Sequence, residues 1–281
     1  MNNFQLREQN NITYLVCEPL EQAGFIHAFS TRKGGVSPLP AEALNLGYFK
    51  GDAPENVAEN RARFLSAIGS NGMKIVTGKQ IHSADVNRIG SFEDALSKTL
   101  RIGDALITDA PGVLIGVQTA DCVPVLIADV KLRAVAAVHA GWRGSLARIT
   151  EKTIARMQTE FGTQPEDCLV AIGPSASACC YEVGEEVVEQ FRSEFVYAES
   201  VVSNHKPGGK AHLDLQVCNA RQLASAGVPQ SNIFTSSLCT MCRNDLFFSY
   251  RLERGREFSV KGVGRLLSVI GTLQYLQQRD E

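Results

Sequence analysis

Residues 103–145 read GDALITDAPGVLIGVQTADCVPVLIADVKLRAVAAVHAGWRGS, and this stretch decides the fold. It holds three near-continuous apolar runs of strand length, at 113–117, 123–128 and 134–139. Runs without polar alternation suit strands buried on both faces. Ligand-type residues sit at the ends of these runs: Asp121-Cys122 before the second, and His139 at the end of the third, just ahead of Gly-Trp-Arg-Gly. Burying such groups is costly unless they are put to use. The stretch therefore reads as the floor of an active site.

Working outward, residues 12–18 and 25–30 read as strands and 31–38 as a glycine-rich loop. Residues 54–68 read as a helix opened by Pro54, with Val57, Phe64, Leu65 and Ile68 on one face and Arg61 beside that buried stripe. Residues 74–77 and 85–89 flank Gln80-Ile81-His82-Ser83. After the central stretch, 144–161 reads as one amphipathic helix and 171–174 as the end of a buried strand. Helices are expected at 183–191 and 213–226, and strands at 233–238 and 247–251. No repeat or linker interrupts the chain. The expectation is one α/β domain over residues 1–281, with a large mixed sheet or two stacked sheets and helices outside.

Bulk properties exclude several function classes. A net charge of -2 offers no electrostatic case for a nucleic-acid or anionic-membrane partner. The basic residues at 251–256 read as a solvated loop. Residues 112–130 are broken by Gln118, Asp121 and Pro124 and do not read as a membrane span. The N-terminal residues lack an apolar signal region, so the eight cysteines are expected to be reduced thiols in a cytoplasmic protein.

Three residues have metal-ligand chemistry: His82, Cys122 and His139, spaced 40 and 17 residues apart. The residues alone leave three readings open. Two imidazoles and a thiolate would hold a catalytic zinc with its fourth position free. A Cys122–His139 pair would serve as nucleophile and base. A buried structural cysteine beside two hydrogen-bonded histidines would do neither. Arg143, at the start of the helix after His139, offers donors for a phosphate or carboxylate, or is a surface arginine in a turn. Arg61 is a similar candidate, with a buried ion pair as its structural alternative. Asp121 reads as a strand-end carboxylate rather than a general base. Cys239-Thr240-Met241-Cys242 is a lone C-x-x-C. A zinc ribbon needs a second such pair, and Cys179-Cys180 are adjacent, so a turn with one site-lining residue is expected. His27 reads as a core histidine, and His205 and His212 as surface residues, with 212–215 within reach of the pocket. No P-loop, G-x-G-x-x-G or H-x-E/P-C-x-x-C deaminase pattern is present.

The ordered set FSTRKGGVS, LNLG, PENVAENR, QIHSADV, GDALITD, QTADCVPVLI, AVHAGWRG, AIGPSAS, CCYEVGEEV, HLDLQ and FFSYR resembles the YfiH/YlmD proteins and their mammalian relative FAMIN, once called multicopper polyphenol oxidases. The resemblance implies a YfiH-like layered α/β sandwich of mixed sheets flanked by helices. It implies zinc on His82 (QIH), Cys122 (ADC) and His139 (VHAG), and substrate contacts from Asn45 (NLG), Arg61 (ENR) and Arg143 (GWRG). It further implies phosphorolysis of adenosine, inosine, guanosine and methylthioadenosine, and deamination of adenosine, with nucleoside and phosphate as the small-molecule partners. Residues 256–273 are less typical of the family. Copper polyphenol oxidation is the first alternative, set against only five histidines and no H-x-H pair. A cysteine hydrolase or amidase editing peptidoglycan precursors is the second.

Overall fold

The computed structural model describes residues 3–39, 42–70, 72–204, 209–254 and 262–273. His205 and residues 255–256 of the basic stretch lie outside them. Two six-stranded mixed sheets carry the architecture. The first runs β1 (Phe4–Gln9), β2 (Ile12–Cys17), β3 (Ile26–Ser30), β16 (Leu266–Gly271), β8 (Val113–Thr119), β5 (Lys74–Thr77). The second runs β15 (Ile233–Thr235), β11 (Cys168–Ile172), β9 (Val123–Asp129), β10 (Val135–Ala140), β7 (Ala105–Thr108), β6 (Val86–Arg88). Among the described strands, β5–β8, β6–β7 and β11–β15 pair in parallel and the other pairs are antiparallel. A small sheet of β12 (Glu182–Val183), β14 (Ala211–Leu213) and β13 (Val202–Ser203) stands apart, and β4 (Lys33–Ser37) lies against Ala43.

The side-chain alternation of each strand sets the layers. Between the sheets, Leu15, Phe29, Ile115 and Val117 of the first meet Leu126, Ala128, Ala137 and Ala171 of the second. On the outer face of the first sheet, Tyr14, Val16, Leu114 and Val269 pack on Phe64 and Ala67 of α2 (Pro54–Ala67). On the outer face of the second, Val125, Ile127, Ala136 and Val138 pack on α5 (Ile149–Phe161), α6 (Glu185–Glu194) and α7 (Leu215–Ser225). The order is helix, sheet, sheet, helix, and both faces of the central strands are covered. That is why their sequences are apolar throughout. Short helices α1 (Glu18–Gln22), α3 (Phe92–Leu96), α4 (Trp142–Leu146) and α8 (Tyr250–Glu253) fill connections.

Four local expectations need correction. Residues 144–161 are not one helix: Arg148 adopts a left-handed φ of 60° and separates α4 from α5. The break leaves Ser145 free to serve α7. Its hydroxyl accepts from Asn219 Nδ2 at 2.8 Å, its carbonyl accepts from Gln222 Nε2 at 2.7 Å, and Thr150 Oγ1 donates to Gln222 Oε1 at 2.8 Å. This buried polar network holds the segment that follows His139. Gln222→Ala leaves Ser145 O with the backbone bond from Arg148 N, at 3.1 Å, and the Thr150 hydroxyl with the longer 3.4 Å bond to Asn219 Oδ1, and should lower stability by about 1–3 kcal/mol in urea unfolding. Residues 247–251 do not form a strand. Ser249 caps α8 by accepting from Leu252 N at 3.2 Å, and the buried Glu253 pairs with Arg32 at 2.7 Å. Part of the glycine-rich segment 31–38 is extended as β4. Finally β16, unforeseen, sits in the middle of the first sheet between β3 and β8. No described helix is long and apolar enough to cross a membrane.

Candidate functional site

The site forms where several strand ends of the second sheet meet. In the β9–β10 pairing, Ala140 lies opposite Val123, which places Gly141 beside Cys122. In the β10–β7 pairing, Val138 lies opposite Ala105, and His139 N donates to Asp104 O at 2.7 Å. Cys122, His139 and Asp104 are thus brought to one corner by register. His82 comes from the loop between β5 and β6. That loop is clipped to the end of β8 by Gln80, whose amide donates to Gln118 O and accepts from Gln118 N, both at 2.7 Å.

Asp104 organises the corner. Its carboxylate accepts from the backbone N–H groups of Ile81 (3.1 Å), His82 (3.0 Å) and Ser83 (2.7 Å) and from the Ser83 hydroxyl (3.1 Å). Three successive N–H groups converging on one anion require an irregular backbone, and His82 has φ 60°. Asp104 also accepts from His139 Nδ1 at 2.7 Å, which leaves His139 Nε2 toward Cys122. Burial pushes the Asp104 carboxyl up, but the bonds from His139, Ser83 and Ile81 outweigh it and bring it down to about 2.

The ligand atoms of His82, Cys122 and His139 lie within 4.8 Å of one another. The two imidazoles meet edge to face, centroids 5.0 Å apart. Burial pushes the Cys122 thiol up, yet the charge of His139 and bonds to both histidines bring it down to about 6. Burial likewise pushes His139 down, and the Cys122 charge and the bonds to Asp104 and Cys122 raise it to about 9. The corner therefore favours a thiolate facing a cation. A metal ion would take the place of the imidazolium proton, and the Asp104–His139 bond is the usual support for a metal-bound histidine. Gly141 belongs to this geometry. A Cβ there would lie 3.0 Å from His82 Cδ2 and 3.2 Å from Cys122 Sγ, inside the cluster.

The three residues open onto a cavity of about 510 Å³ whose wall includes Gln118, Thr119, Tyr250 and Arg265. That size lies within the usual range for a small-molecule site. Burial pulls Arg265 below the ordinary arginine value, partly offset by the charge of Cys122, yet an arginine stays protonated, so its guanidinium brings a positive charge to the cavity wall.

The other expected site residues lie outside this wall. Asn45 is fully buried; its amide donates to Asp52 Oδ2 at 2.7 Å, and its oxygen accepts from Arg265 N at 2.9 Å. It holds the backbone of Arg265 rather than facing the cavity. Arg61 donates Nε–H to Leu46 O at 2.9 Å and lies over the Tyr48 ring at 4.8 Å. Its Nη2 is buried with no hydrogen-bond partner among the described residues, so the buried ion pair considered for it is not formed. Arg143 is exposed and lies over Trp142. Asp121 accepts from Thr240 Oγ1 and from Arg251 N, each at 2.7 Å, the structural part of a strand-end carboxylate. His27 is a buried core histidine, accepting from Cys17 N at 2.8 Å. His212 bonds Ala178 O at 2.6 Å, away from the cavity. Neither Cys239 nor Cys242 lines the cavity, so the turn at 239–242 does not supply the site-lining residue expected of it.

Sequence reasoning missed Asp104 and Arg265. Each carries the signal that picked out Cys122, a polar residue directly before an apolar strand.

Comparison with known proteins bears on the family and the fold. Residues 26–273 match the family described as multi-copper polyphenol oxidoreductase laccase. A purine nucleoside phosphorylase of Bacteroides thetaiotaomicron is 37% identical over 249 residues, covering 87% of this chain and 90% of the relative. The adenosine deaminase RL5, from an unknown prokaryotic organism, is 36% identical over 243 residues, covering 83% and 92%. The crystal structure of YlmD from Geobacillus stearothermophilus superposes with a TM-score of 0.85 at 33% identity, covering 98% of this chain and all of that one. With the layered fold and these matches in agreement, the chain belongs to the YfiH/YlmD family of enzymes, the multi-copper polyphenol oxidoreductase laccase family by its older description.

Proposed function

We propose that this chain is a zinc-dependent purine nucleoside enzyme. It would cleave adenosine, inosine, guanosine and S-methyl-5'-thioadenosine with phosphate, and deaminate adenosine to inosine. The observation that carries the reading is the three-donor cluster of His82, Cys122 and His139 at the wall of a nucleoside-sized cavity. Two nitrogens and a thiolate with a free fourth position are a catalytic zinc set. When bound, zinc supplies a Lewis acid and lowers the pKa of water. The names of the relatives, a phosphorylase and a deaminase, support both activities.

The chain's own groups do the rest. In phosphorolysis a phosphate oxygen bonds to C1′ of the ribose, the bond from C1′ to the purine nitrogen breaks, and the leaving purine takes up a proton. Arg265 faces the cavity and suits a phosphate or a developing negative charge. Arg61 has an unpartnered buried Nη2 behind the Asn45–Tyr48 segment, and a buried donor without an acceptor is costly, so a nearby anion would satisfy it. Gln118 supplies a side-chain amide at the wall for the polar edge of a purine.

The test is incubation of the purified protein with adenosine, with and without phosphate, followed by chromatography. Adenine with ribose 1-phosphate, and inosine, are the expected products. Neither product from metal-replete protein would overturn the proposal. Arg61→Ala should raise the KM for phosphate about tenfold or more and leave deamination nearly unchanged. Equal losses in both reactions would remove Arg61 from a phosphate role.

A further inference from the structure

Away from the cavity, the fold gathers a second set of thiols. Cys179 and Cys180 lie in the turn after β11, and Cys239 and Cys242 in the turn after β15. The parallel pairing of β11 with β15 continues as a bridge from Ser175 to Cys239, and this brings the two turns together. The sequence expectation treated Cys239 and Cys242 as a pair without a partner pair. The fold supplies one from adjacent residues, because the turn at 178–180 directs both sulfurs to the same side. All four sulfurs lie within 4.8 Å of one another. Cys242 Sγ is 3.6 Å from that of Cys179 and 3.4 Å from that of Cys180.

We propose that Cys179, Cys180, Cys239 and Cys242 form a second zinc site, structural and closed, which fastens these two turns. Zinc–sulfur bonds of about 2.3 Å place tetrahedral ligands about 3.8 Å apart, close to the spacings found. A disulfide would join two sulfurs at about 2.05 Å and give the other two no reason to converge. All four are free thiols in this structure. Cys239 Sγ also accepts from the backbone N–H of Ser177 at 3.5 Å, the outer-shell support usual for a metal-bound sulfur. Four sulfur donors with no open position favour zinc in a structural role.

The clip would act on the active site through Asp121. Thr240 N donates to Ser175 O, and Ala176 N to Asp121 O, both at 2.9 Å. Thr240 Oγ1 and Arg251 N grip the Asp121 carboxylate. Asp121 adjoins Cys122, and Arg251 follows Tyr250 of the cavity wall. The two turns thus back the site without touching it.

The test is zinc content by mass spectrometry, on protein made in zinc-supplemented cells and purified without chelator. About two zinc ions per chain are expected in the wild type, one in Cys242→Ser, one in His82→Ala and none in the double variant. A wild type with one zinc that His82→Ala removes would overturn the proposal. So would an unreduced mass two hydrogens short, showing a disulfide within the four. Loss of zinc in Cys242→Ser but not in His82→Ala would keep this site and reject the metal of the proposed function. Cobalt substitution of His82→Ala guards against a misfolded Cys242→Ser. Strong thiolate-to-cobalt charge-transfer bands of a four-sulfur site support the proposal, and their absence rejects it.

Discussion

Cys122→Ala should abolish metal binding at the cavity and lower adenosine turnover by about three orders of magnitude or more. Structural zinc sites release roughly 10–16 kcal/mol on binding, and one ligand of a three-donor set carries several of these. Of the three donors, the thiolate is the one that would bring negative charge to a bound cation, so its loss should cost more than that of a neutral imidazole. The fold should survive. Cys122 is only partly buried, and its neighbour Asp121, not its sulfur, holds the surrounding turns. Cooperative urea unfolding together with zinc analysis separates lost metal from lost structure. The same variant bears on the cysteine-hydrolase alternative. If Cys122 were a free nucleophile, metal-stripped wild-type protein would keep its activity and its thiol would alkylate rapidly. Zinc-protected, alkylation-resistant Cys122 is the expected result.

Asp104→Asn should weaken metal affinity by about 10–100-fold and destabilise the protein by about 3 kcal/mol or more. Oδ1 accepts from His82 N and His139 Nδ1, while Oδ2 accepts from Ile81 N, Ser83 N and Ser83 Oγ. An asparagine can present one oxygen only. In either orientation its amide group faces two or three donors that it cannot satisfy. One orientation frees the His139 ring, and the other loosens the loop that carries His82. Competition with a coloured chelator reads the affinity, and denaturant unfolding of metal-free protein reads the stability. Unchanged affinity would mean that Asp104 does not position the ligands.

Much of the site was legible because burial is informative. Cys122 and His139 stood out as polar residues at the ends of apolar runs, and β8, β9 and β10 fall on those runs almost residue for residue. Asp104 precedes β7 in the same way, but a carboxylate before a strand is common, and its five donors come from residues 81–83 and 139. One of these contacts follows from the β7–β10 pairing and the other four from the fold of the loop at 81–83, and sequence spacing shows neither. Arg61 read correctly as an arginine beside a buried stripe. That its Nη2 lacks a partner among the described residues could not be read, since partners belong to packing.

Local composition was enough to specify an α/β domain of buried sheet with helices outside, but not one large sheet against two stacked ones, because strands covered on both faces must be apolar and helices covered on one face must be periodic. It was also enough to mark which polar residues are expensive to bury. Register and sheet order decided everything that joins distant positions. They placed β16 at the centre of the first sheet, set His82 against Cys122 and His139, moved Asn45 behind Arg265, and gathered four cysteines that spacing had left as unrelated pairs. The physical reason is that burial acts residue by residue, whereas a coordination sphere or a hydrogen-bonded carboxylate exists only between chain segments, and sequence spacing does not encode which segments pair.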